Sequence, residues 1–129
     1  MDKLYVTFYC MVKDDGTNTV HSRIVYLMEI FLTLVFIALS EVILGLLNIR
    51  LDSFFYYILI MLSSPVVAYL LIKNKFNEIR GKDIVQNFSD TILKNKRSLA
   101  LLAISLLISA FLLLIICGMF MSYLFSLYD

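Results

Sequence analysis

The chain has 129 residues, of which 61% are apolar and only 16% charged, with one proline and four glycines. Ordinary domains are nearer to about 45–50% apolar and about 25% charged, and a soluble protein this small has too much surface to hide the excess. That excludes a typical water-soluble globule; the net charge of +1 says nothing about nucleic acid, and lipid is the solvent the composition fits.

The first 23 residues carry no run long enough to cross a bilayer. Leu4, Tyr5, Phe8, Tyr9, Met11 and Val12 share one apolar face if helical, which suits a helix lying in the membrane interface. Val6 to Tyr9 also favour a strand, and Asp14-Asp15-Gly16 could turn a short hairpin. A lone hairpin has no sheet to join, so helix is the preferred expectation and strand the open alternative. His21, the sole histidine, sits beside Ser22 in what reads as a polar, solvated loop.

Three apolar runs meet the requirement of about 20 residues for about 30 Å of hydrocarbon: residues 24–49, 54–72 and 99–125. The first is too long for the apolar core of a signal peptide, contains Glu41, and lacks a small-x-small cleavage site. Glu41 falls roughly 7–8 Å from the midplane at 1.5 Å per residue. A carboxyl at that depth faces protein or a watery cavity. Ala38, Gly45 and Asn48 share its face, a small-and-polar stripe suited to close helix packing. Glu41 is therefore read first as a packing residue hydrogen-bonded to a serine or tyrosine of a neighbouring helix. The alternative is a protonatable site in an ion path. Glu29, near Arg23, reads as a group at headgroup level.

The connection from Arg50 to Ser53 is short enough to force an antiparallel helical hairpin. In the second span, Ser63, Ser64 and Pro65 mark a break: proline cannot donate its backbone bond, and serine hydroxyls can serve freed carbonyls. Residues 73–98 form a basic loop with Lys73, Lys75, Arg80, Lys82, Lys94, Lys96 and Arg97, the candidate contacts for lipid headgroups. Gly81 is expected just beyond the end of the second helix, and Asp83 with Gln86 as the capping box of the next. Ile84, Val85, Phe88 and Ile92 then fall on one face, with Leu93 off it. In the third span, Ser105 with Ser109, Ala103 with Ala110, and Gly118 with Ser122 are small residues at contact spacing.

The predicted architecture is an all-α membrane protein forming a single domain. Three transmembrane helices make a small bundle, with an interfacial N-terminal helix and a cytoplasmic helical hairpin between spans two and three. Ten of the eleven Lys and Arg residues fall on the side of the first segment and the basic loop, leaving only Arg50 opposite. The positive-inside rule makes the crowded side cytoplasmic and the far end external. Phe54, Phe55, Tyr56, Tyr57, Tyr123 and Tyr128 gather at the external boundary as an aromatic belt. Cys10 and Cys117 then lie on opposite halves of the membrane, beyond the roughly 7 Å Cα separation a disulfide tolerates, and are expected to be free thiols.

No motif for a nucleophile, phosphate loop, metal or cofactor appears, so the expectation is a non-catalytic protein with no cofactor and no nucleic-acid partner. Lys3-Leu4-Tyr5 followed by Phe8-Tyr9, just ahead of a first span, resembles small multi-pass inner-membrane proteins of Bacteroidota-type bacteria, some encoded beside toxins. The resemblance implies an immunity protein that neutralises a toxin at the inner membrane. The residues favour a protein that binds another in or at the membrane, as an immunity factor or accessory subunit. Behind it stand an oligomeric channel or transporter component using Glu41, and a structural subunit of a larger complex.

Overall fold

The computed structural model describes residues 1–12, 19–50 and 54–129; the Asp14-Asp15-Gly16 turn, Lys13 and the connection after Arg50 lie outside them, as do the side chains of Phe54, Tyr56 and Glu78. Among the described residues there are five α-helices and no strand: α1 (Asp2–Met11), α2 (Thr19–Leu46), α3 (Phe54–Lys75), α4 (Glu78–Asn87) and α5 (Ser89–Leu127). Three of them, α2, α3 and α5, are long and apolar enough to cross a membrane. At 1.5 Å per residue the 39 residues of α5 extend about 58 Å, nearly twice the hydrocarbon thickness. Its first turns therefore project beyond the apolar stretch, and the backbone breaks from helical geometry at Asn95 (φ −122°, ψ 18°), between Lys94 and Lys96.

Helix α2 is the spine: it packs along α5 on one side and α3 on the other. Between α3 and α5 the Tyr57 hydroxyl donates to Met121 Sδ at 3.9 Å. The large side chains of the core gather at one end of the spans, where Tyr5, Phe8, Ile24, Met28 and Ile72 are fully buried and Phe76, Ile84, Ile92 and Ala103 close around them. Segment 2–11 is thus a helix, the conformation preferred over the strand. It does not present one apolar face and keep another free: Tyr5, Val6, Thr7 and Phe8 are all buried in succession, against α5, α2 and α4. Protein takes the place of the interface on most sides of α1.

The basic loop departs from its expected capping. Helix α3 stops at Lys75, Phe76 turns inward and is buried, and Asn77 caps α4, its side-chain oxygen accepting a 2.7 Å hydrogen bond from the Arg80 backbone N–H. Gly81 and Asp83 therefore lie inside α4 and end nothing. Asn is as good an N-cap as Asp, and Asn77 wins because the chain must turn there to bury Phe76. The apolar face does form: Ile84 and Ile92 are buried, Val85 and Phe88 half-buried, and Leu93 points outward, 82% exposed.

At the opposite end α2 closes on Asn48, with φ at 50°. Its N–H donates to the Gly45 carbonyl at 3.2 Å, and Ile49 N–H donates to Leu44 at 2.9 Å. Together these bonds make a Schellman closure. Asparagine tolerates the left-handed conformation better than most residues. Arg50 donates to the Phe125 carbonyl at 2.9 Å, pairs with Asp129 at 2.5 Å, and lies over the Phe125 ring.

Candidate functional site in the seam between α2 and α5

The spans approach most closely where small residues face each other. On α5, Ala103, Ala110 and Cys117 are buried at heptad spacing, followed by Met121; on α2, Ala38 and Gly45 are buried seven residues apart. That repeat is the seam pattern of helices packed nearly in line. A Cβ built on Gly45 would stand 3.2 Å from the Met121 Cα and 3.1 Å from Leu124 Cδ1, so α5 backbone comes to within contact of α2 at this glycine.

Glu41 sits on that same face, between Ala38 and Gly45, with its carboxylate laid over Gly118 of α5. A Cβ on Gly118 would meet the two carboxylate oxygens at 3.5 and 3.6 Å. The packing role expected of Glu41 is present, but the expected hydroxyl partner is not: Oε2 is buried and makes no hydrogen bond among the described residues. Three other predicted packing residues, Asn48 of this stripe and Ser105 and Ser109 of the third span, lie elsewhere. Asn48 is exposed and serves the helix end. Ser105 and Ser109 are exposed on the outer surface of α5, Ser105 donating to its own Leu101 carbonyl at 2.9 Å. The alanines one turn-phase away took the seam because they let backbones approach without leaving a hydroxyl to satisfy.

In α3, Ser64 is buried and Pro65 half-buried, and the helix runs on through the proline. Ser63 and Ser64 both donate to Ile60, at 3.0 and 2.9 Å. The carbonyl that Pro65 leaves without its usual donor is Met61's, one residue along.

No known protein family, characterised protein or solved structure matches the chain.

A second cluster was not foreseen from the residues. His21 lies within α2, half-buried, not in a solvated loop; its Nδ1 shares a 2.7 Å hydrogen bond with the hydroxyl of buried Tyr5. Phe76 stacks on the Tyr5 ring at 5.4 Å, and Arg80 covers Phe76 before reaching Asp2 at 3.5 Å. Gly81 is what admits this arrangement: a Cβ there would collide with the Tyr5 hydroxyl and stand 2.7 Å from His21 Nδ1. The available signal was a glycine in a segment otherwise suited to helix, where it costs about 1 kcal/mol against alanine. The cluster ties α1, α2 and α4 into one end-piece.

Lys73, Lys75, Arg80, Lys82, Lys94, Lys96 and Arg97 are all exposed around that same end. Cys10 and Cys117 are free thiols, both buried. Burial pushes the Cys10 thiol above its ordinary range, against a smaller downward pull from Lys96. Among the described residues no group of three His, Cys, Asp or Glu side chains is placed to hold a metal.

Proposed function

We propose that the chain is a non-catalytic inner-membrane protein that binds another protein in or at the bilayer, most concretely as an immunity factor or accessory subunit. The observation that carries this reading is the open flank of α3. That helix is backed mainly by α2, and Leu59, Leu62, Val66 and Leu70 are exposed along its other side. Without a hydrophobic drive between helices in lipid, a span is held by close packing and polar contacts, and α3 has room for both on its uncovered side. The basic residues of α4 and the start of α5 assign their end to the cytoplasm. The Arg50 end, whose one cation is paired with Asp129, is assigned to the exterior.

The test is photo-crosslinking from Leu62 and Val66 in the tagged full-length chain, in its native cell, followed by mass spectrometry. A stoichiometric adduct with one other polypeptide is expected; adducts with lipid alone overturn the reading. The unpartnered Glu41 oxygen is the one feature that favours the channel alternative. Loss of ion flux on Glu41→Gln in a well-assembled protein would move the conclusion there.

A further inference from the structure

Between α2 and α3 lies a cleft of about 240 Å³ lined by Tyr26, Glu29, Ile30, Thr33, Leu34 and Pro65. The five α2 residues are spaced i, i+3, i+4, i+7 and i+8, so they form a single stripe about 12 Å long at 1.5 Å per residue. Its chemistry changes along that length. Tyr26 and Glu29 occupy the end toward the membrane boundary, and Leu34 with Pro65 the end toward mid-membrane. Among the described residues Glu29 makes no ion pair. The cleft thus offers an uncompensated carboxylate at its outer end and an apolar trough behind it.

We infer that this cleft binds one phospholipid bearing a primary-amine headgroup, its ammonium on Glu29 and an acyl chain along Ile30, Leu34 and Pro65. The order of chemistry in the cleft is that of such a lipid. A carboxylate at headgroup depth calls for a cation, and a primary ammonium brings three N–H donors to the Glu29 carboxylate and Tyr26 hydroxyl, in the strong charge-assisted class. A quaternary ammonium has no N–H and cannot do this. A helix, about 10–12 Å across, is too wide for a cleft of this volume, whereas an acyl chain is not.

The inference does not depend on the protein-binding role proposed above. The experiment is native mass spectrometry of the delipidated full-length protein with equimolar phosphatidylethanolamine, phosphatidylcholine and phosphatidylglycerol. Preferential retention of the ethanolamine lipid over the choline lipid by about tenfold is expected, as one charge-assisted hydrogen bond supplies. Glu29→Gln should abolish that preference while Glu41→Gln keeps it. Leu34→Phe, which fills the trough and leaves Glu29 in place, should weaken retention of every lipid alike and serves if the Glu29 variant does not fold. Equal retention of the two zwitterionic lipids by the native protein overturns the inference. So does an unchanged preference in a folded Glu29→Gln protein, or capture at Glu29 of a lysine-bearing transmembrane peptide in place of lipid.

Discussion

Gly81 and Gly45 show how much of this fold rests on missing side chains. Replacing a mid-helix glycine with alanine ordinarily stabilises by about 1 kcal/mol. At Gly81 the sign should reverse, because the added carbon meets the Tyr5 hydroxyl and Tyr5 is pinned by Phe76 and His21. Gly81→Ala is expected to cost about 1–3 kcal/mol, the range for overpacking, read as a lower melting temperature in detergent. Tyr5→Phe in the same background should recover part of the loss, since it removes the colliding oxygen. Glu41 makes a different demand. Glu41→Gln keeps shape and polarity against Gly118 and should leave assembly intact, whereas Glu41→Leu forces a branched carbon chain onto that glycine; size-exclusion profiles of the two variants distinguish them. At Cys10, burial holds the thiol above its ordinary pKa, so the folded protein keeps its proton where the unfolded chain releases it. Stability is therefore lost as pH rises through the ordinary thiol range. Maleimide labelling of Cys10 should be slow in the folded protein and fast after denaturation.

The helices were legible in the residues to different depths. The three spans follow from length and apolarity alone, since nothing but a helix satisfies its own backbone over such a distance in lipid. Ends were harder. Asp83 and Gly81 together make a locally sound boundary, yet Asn77 holds the cap, because burying Phe76 is a tertiary demand that no local pattern carries. Asn77→Ala should then destabilise α4 by about 0.5–2 kcal/mol, while Asp83→Ala changes little; amide exchange of Arg80 reports the difference. Asn48 likewise fits both a packing stripe and a helix end, and only its positive φ decides between them. The candidate site was half legible: Glu41, Ala38 and Gly45 share a face by spacing, but which face of α5 meets them depends on rotation about the helix axis. That rotation left Ser105 and Ser109 outside. The Tyr5–His21 pair directly joins residues 16 apart on two helices, beneath Gly81 of a third, and no periodicity reports such a contact.

Across the whole molecule the two ends are unlike. One is a packed end-piece with its own apolar core beneath exposed cations; the other carries, among the described residues, an exposed clasp, Arg50 to Asp129, both partners substantially solvent-accessible. An exposed ion pair of this kind is worth about 0–1 kcal/mol. Asp129→Cys should therefore leave the fold intact, and on the proposed topology its thiol reacts with an impermeant reagent from outside the cell. Labelling only after permeabilisation would invert the orientation.

The burial of α1 also has a consequence for synthesis. Most of its packing is against α5, which follows it in the chain and emerges from the ribosome later by several seconds at roughly 5–20 residues per second. During that interval Tyr5, Val6 and Phe8 lack most of their seat. The bilayer surface is the nearest apolar refuge, so α1 is expected to wait there until α5 arrives. A chain stopped before Ser89 should leave α1 open to protease, and completing α5 should close it.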